Sequence, residues 1–170
     1  MMPSTSSQVL PIAQQGDAVL AQIAKLVIDP LHADIQTLIR DMHATMLAAN
    51  GVGIAAPQVF QSLRIIIVAS RPNPRYPDAP VMEPIAMINP EIIWHSDEVC
   101  MGEEGCLSVA NTRGSVQRAE RLRVKYLSEQ GHLLEQEHSG FVARIIQHEI
   151  DHLNGVLFVE RAESTQSITV

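Results

Sequence analysis

Gln147-His148-Glu149-Ile150-Asp151-His152 places an H-E-x-x-H spacing near the end of a 170-residue chain. On a helix, side chains four residues apart stand one above the other, so His148 and His152 can turn two imidazole nitrogens to one point. That is half of a metal site. Glu149 is rotated by about 100° round the axis from His148. It flanks such an ion rather than ligating it, placed to take a proton from a water that the ion activates. The bland alternative is a chance match, with two surface or satisfied core histidines. The flanks favour the metal. Phe141, Val142, Ile145, Ile146, Ile150 and Leu153 leave little of the circumference polar, with Ser139 as N-cap and Asn154-Gly155 as the stop. Histidines on a helix so buried need partners for their ring nitrogens, and an ion accounts for both.

Two other stretches carry polar or reactive groups in unusual surroundings. Gly51-Val52-Gly53-Ile54-Ala55-Ala56-Pro57-Gln58 is built almost wholly of small residues. A backbone or ligand can approach it closely, with the Gln58 amide as its only hydrogen-bonding side chain. Composition leaves that reading level with a Gly/Ala-rich turn carrying a solvated Gln58. In Glu103-Glu104-Gly105-Cys106-Leu107-Ser108-Val109, a lone Cys106 is by the habit of free cysteines first a packed residue and only second a ligand. Cys100 and Cys106 lie near enough in sequence for a disulfide, but a chain that reads as intracellular makes thiolate chemistry the better use of at least one.

The elements that must hold these groups follow from periodicity. From Ala33, Ile35, Leu38, Ile39, Met42, Met46 and Leu47 recur at three and four, predicting an amphipathic helix that stops at Asn50-Gly51. Arg64 to Ala69 predicts a buried strand. Five prolines between Ser70 and Pro84 predict a surface loop. Ile85 to Ile88 and Ile92 to Trp94 read as strand pieces broken at Asn89-Pro90. Leu122, Val124 and Tyr126 alternate with Arg123 and Lys125, and after a turn at Glu129-Gln130-Gly131 the chain returns over Leu133 to Glu137 as a hairpin. Val156 to Val159 is expected as a last short strand, and Val9 to Ile28 is ambiguous. The class is α+β: antiparallel β-sheets packed around a buried C-terminal H-E-x-x-H helix, with an N-terminal amphipathic helix.

Composition narrows the partners. With 46% hydrophobic and 18% charged residues the chain fits one domain with a full core. We expect a flexible leader over residues 1–8, a single domain over 9–160 and a polar tail over 161–170. A formal net charge of -7 without a Lys/Arg cluster argues against nucleic acid and anionic membrane as partners. The longest apolar run, Ile65 to Ala69, is too short to cross a bilayer. Met1 to Ala24 contains no Lys or Arg, unlike a secretory or organelle leader, and the expected compartment is the cytoplasm.

The three stretches together, in this order and spacing, resemble the G-x-G-x-A-A-x-Q, E-G-C-x-S and Q-H-E-x-D-H-L signatures of peptide deformylases. The likeness runs from about Ile12 to Glu160 and includes Arg118-Ala119-Glu120. It implies Cys106, His148 and His152 as ligands of one divalent ion, Fe(II) natively with Zn(II) or Ni(II) as substitutes. It implies Glu149 as general base, and Gln58 with the Leu107 N–H as an oxyanion hole. Val52, Gly53, Gly105 and Arg113 would meet substrate, and Glu104 and Arg118 would pair behind the Cys106 loop. Ala18, Ala21, Ala110 and Gln117 depart from the family pattern without touching these positions. Arg144 resembles one branch of the family and falls near its methionine side-chain pocket.

The implied function is removal of the formyl group from N-formyl-methionyl nascent peptides, met near the ribosome. A thiolate with two imidazoles suits Zn(II) or Fe(II), and three protein ligands leave a position open for water. A metal-dependent endopeptidase and a non-catalytic metal-binding relative are the competing readings.

Overall fold

The computed structural model describes residues 7–167. The expected leader lies outside the described residues as far as residue 6, and the expected tail from residue 168. In chain order the elements are α1 (Ala33–Ala48), β1 (Gly53–Ala55), β2 (Ile65–Val68), β3 (Ile85–His95), β4 (Val99–Cys106), β5 (Val109–Ala119), β6 (Arg121–Leu127), β7 (Leu133–Ser139), α2 (Gly140–Leu153) and β8 (Ser164–Ser167). Strands β1-β2-β3-β6-β7 form one antiparallel sheet in that order, and β4-β5-β8 form a second.

The periodicity of α1 turns Ile39, Met42 and Met46 inward, onto Ile54, Ile65, Ile67 and Ile88 of the large sheet. The helix closes where Asn50 was expected to close it. Gly51 N–H donates to Met46 O at 2.9 Å and Asn50 N–H to Leu47 O at 3.1 Å, with Asn50 at φ +57°. This closure satisfies two orphan carbonyls and sends the chain directly into β1.

Strand β2 is buried on both faces. Its alternate residues Ile66 and Val68 meet Ala143, Ile145, Ile146, Ile150 and Leu153 of α2, each fully buried Ile or Leu contributing about 1.5–3 kcal/mol. The other side of α2 faces β4 and β5, to which it is tied by Arg144, His148 and Asp151. The H-E-x-x-H helix therefore lies between the two sheets, its histidines shielded from bulk water. Among the described residues no helix is long and apolar enough to cross a membrane.

Several local expectations are corrected. Val156 to Val159 is not a strand; Phe158–Glu160 is a 3-10 turn. Leu157 and Phe158 are consecutive and both enter the same apolar cluster, which strand alternation forbids. The last strand is instead Ser164–Ser167, within the expected tail, where the edge of β5 offers backbone partners to a polar segment. Asn89-Pro90 does not break β3: a register shift between Ile88 and Glu91, with Asn89 at φ +53°, absorbs it as a bulge. Ser139 precedes α2 but makes no side-chain cap, since it is held as the last residue of β7. Cys100 and Cys106 sit at the two ends of β4 and are both free. Six residues of extended strand separate them by roughly 20 Å, beyond any disulfide. The ambiguous stretch before α1 forms a 3-10 turn at Ala18–Ala21 and a bridge from Lys25 to Leu63.

Candidate metal and active site

The third and fourth turns of α2 bring His148 and His152 to the tip of the β4–β5 hairpin, where a register shift after Gly105 turns Cys106 inward. Cys106 Sγ lies 3.3 Å from His152 Nε2. One ligand atom from each of Cys106, His148 and His152 falls within 4.8 Å of the others, and all three residues are buried. Bond lengths for a tetrahedral zinc-like ion put such atoms about 3.4–3.6 Å apart, so small adjustments close the cluster round a cation.

Electrostatics support the same fit. Burial alone would push the Cys106 thiol up, but the neighbouring charge of His152 and hydrogen bonds to His148 and His152 hold it well below the ordinary thiol value. Burial would lower His148, yet hydrogen bonds to Cys106 and Glu104 raise it well above the usual imidazole value. A thiolate beside an imidazole that holds its proton is a site where a cation can take the proton's place.

His148 Nδ1 is engaged at 2.8 Å by Glu104 Oε1, which leaves Nε2 for a ligand role. Glu104 also receives Arg118 bidentately, Nε to Oε2 and Nη2 to Oε1, both at 2.9 Å. Arg118 Nη1 reaches Asp151 Oδ2 at 2.6 Å, and Arg161 grips Asp151 from outside at 2.6 and 3.0 Å. Burial would raise the Glu104 carboxyl, but the Arg118 and His148 hydrogen bonds outweigh it and hold it below the carboxylate range.

Glu149 faces the same space. Burial pushes it up to about 7, and its Oε1 has no hydrogen-bond partner among the described residues. It packs against Gly53 so closely that a Cβ there would stand 2.6 Å from Glu149 Oε2 and 2.8 Å from Ile145 Cγ2. The small-residue stretch thus serves close approach, not a solvated turn. Gln58 is 2% exposed. Its Oε1 accepts from Ala55 N–H at 2.9 Å, which fixes the amide so that Nε2 donates to Ser108 Oγ at 3.0 Å, with Cys106 Sγ at 3.6 Å.

Gln58, Glu104, Cys106, His148 and Glu149 line a small cleft together with Val52, Gly53, Gly105 and Leu107, with His152 behind that lining. Arg113 is not in its lining. It stands behind, donating to Arg75 O at 3.0 Å with its guanidinium 5.2 Å from the Tyr76 ring centre. Arg75, Tyr76 and Phe141 do line the cleft, and none carried a motif. Tyr76 comes from the proline-rich loop, and its hydroxyl accepts from Gly105 N–H at 2.9 Å. Ser108 and Asp151 lie inside the motifs, yet their partners are far away in sequence. The set as a whole holds an acid–base group, oriented donors and a cation site round one small space, which suits hydrolysis of an amide.

Comparison with known proteins agrees. The family model for polypeptide deformylase matches residues 9–167. Peptide deformylase 2 of Nostoc sp. is 57% identical over 92% of this chain and 88% of its own. Peptide deformylase 2 of Shewanella oneidensis is 46% identical over 95% of this chain and 89% of its own. The Met-Ala-Ser bound crystal structure of class I type b peptide deformylase from Acinetobacter baumannii is similar with a TM-score of 0.89. It is 58% identical, over 92% of this chain and 99% of that one.

Proposed function

The chain belongs to the polypeptide deformylase family, and from that premise we propose how its own residues remove the formyl group from N-formyl-methionyl peptides. Cys106, His148 and His152 hold one divalent ion, Fe(II) natively, with Zn(II) and Ni(II) able to replace it. Such an ion supplies Lewis acidity and brings water toward deprotonation near neutral pH. The remaining work belongs to side chains and backbone.

Glu149 takes the proton of the attacking water at its carboxylate and later delivers it to the amide nitrogen as the C–N bond breaks. Burial that raises this carboxyl to about 7 suits both directions of transfer. The Gln58 amide, anchored through Ala55 and Ser108, and the Leu107 N–H donate to the oxygen on which charge develops. Formate and a free amino terminus are the products. Val52, Gly53 and Gly105 guide the peptide backbone, and Arg113 acts through Arg75 and Tyr76 at the cleft wall.

The single observation that supports a formyl group over larger acyl groups is the contact of Gly53 with Glu149, where even a Cβ does not fit. A formyl carbon carries only hydrogen. An acetyl methyl, or the chain an endopeptidase must accept, would need room where Gly53, Ile145 and Glu149 already crowd together. The comparisons lend no support to the endopeptidase or to a non-catalytic relative. Acting on nascent chains near the ribosome places the enzyme in the cytoplasm.

The test is hydrolysis of formyl-Met-Ala-Ser against acetyl-Met-Ala-Ser. Formate release is expected from the first and cleavage at least ~100-fold slower for the second, about 2.7 kcal/mol in the transition state. Cutting of internal peptide bonds without formate release would overturn the reading.

A further inference from the structure

Arg144, His148 and His152 stand at four-residue intervals on α2, so an arginine lies one turn below the first imidazole. The family resemblance put this arginine near a methionine side-chain pocket. Arg144 is part of the cleft lining, and its guanidinium is held by β4 and β5. Nη1 donates to Glu104 Oε2 at 2.7 Å and to Val116 O at 2.9 Å, and Nη2 donates to Cys100 O at 2.7 Å. The group lies flat on β4 at Gly102, where a Cβ would stand 2.8 Å from Arg144 Cζ. It is 8% exposed and locked in place.

The carboxylate it binds is the one that holds His148. Glu104 is therefore shared between two guanidiniums, Arg118 and Arg144, and the Nδ1 of His148. A carboxylate behind a metal-ligating imidazole strengthens that imidazole as a donor, and cations gathered on the carboxylate weaken the effect. The buried positive charge also repels a divalent ion directly. We propose that Arg144 tunes the metal centre: by drawing charge from Glu104 it makes His148 a weaker donor and keeps the bound cation loosely held and strongly Lewis acidic. Arg144 acts through Glu104 and is a positioning and charge-tuning residue. This rests on the assignment of Cys106, His148 and His152 as ligands.

The sign separates this role from a purely structural one. Were Arg144 only a bolt, its removal would loosen the Glu104–His148 contact and weaken metal binding. Charge tuning demands the opposite. The experiment titrates Co(II) into metal-stripped protein against a competing chelator and records the thiolate-to-cobalt absorption. Arg144→Gln, which keeps hydrogen-bonding capacity without charge, is expected to bind Co(II) about tenfold more tightly, with the band moved to higher energy as the cobalt becomes richer in electrons. Arg144→Lys, which keeps the charge, should stay near wild type. Equal or weaker binding by Arg144→Gln, or the same tightening in Arg144→Lys, overturns the proposal. Arg144→Met, which keeps the stem, replaces the glutamine variant if that protein fails to fold. A wild type without a thiolate band would instead overturn the ligand assignment itself.

Discussion

Glu104 Oε1 stands 2.8 Å from His148 Nδ1, and the same carboxylate takes Arg118 in a two-point grip. The residue that orients one histidine is thus fixed by a buried cation from β5. That cation is fixed in turn by Asp151, which leaves the same helix one turn after His148. Ligand geometry and fold stability share one set of contacts.

Removing Arg118 takes a buried cation from two carboxylates at once, leaving Glu104 to Arg144 and His148 and Asp151 to Arg161 alone. Breaking a buried pair from one side costs about 3–5 kcal/mol. Arg118→Ala is expected to unfold at much lower denaturant and to bind metal less tightly. Denaturant titration beside metal analysis checks both, and a variant as stable as wild type would refute the shared role.

Acid should act on the same contact. The Glu104 carboxyl is lowered in the folded protein, so its contribution to stability is complete above the ordinary carboxylate value of about 4.3 and is lost as pH falls below it toward the lowered folded value. In metal-stripped protein, Glu104→Gln should therefore lose stability at pH 7 and differ less from wild type near pH 3. A constant gap across that range would contradict the linkage.

The ligand set predicts a pattern across the two cysteines. Cys106→Ala and His148→Ala should lose bound metal, while Cys100→Ala, whose thiol lies at the far exposed end of β4, should retain it. Metal content after gel filtration decides, and a Cys106→Ala protein with full metal would remove Cys106 from the set.

Glu149→Ala should keep its metal and lose turnover by about 10² to 10⁴ fold, the usual effect of removing a general base. Metal-loaded Glu149→Ala with near-normal kcat would remove Glu149 from that role.

Gln58→Leu removes one donor to the developing charge and should cost about 3 kcal/mol in kcat/KM. Its metal content should hold, because Ser108 N–H still supports Cys106 Sγ at 3.4 Å. Loss of metal or fold in Gln58→Leu would make the amide structural.

How much of this was legible beforehand depended on range. The H-E-x-x-H helix, the amphipathic α1 with its Asn50 closure and the β6–β7 hairpin rest on periodicity and turn chemistry among residues within a few positions of each other, and each formed as read. Where neighbours competed, local reading failed. Leu157 and Phe158 turned both side chains into one cluster, and Asn89-Pro90 became a bulge because pairing with β6 on one side outweighed the break.

The three motifs also determined the family, because their residue types and order are carried by the chain itself. Only the tertiary structure decided which distant groups meet. Cys106 reaches His152 across 46 residues, and Gln58 reaches Ser108 across 50. Tyr76 arrives at Gly105 from a loop with no pattern to announce it. Arg144 shows the difference most sharply: its place on the helix was set by spacing alone. Whether its guanidinium entered a substrate pocket or joined Glu104 depended on where β4 docked, and docking is settled by packing summed over both sheets rather than by any local preference.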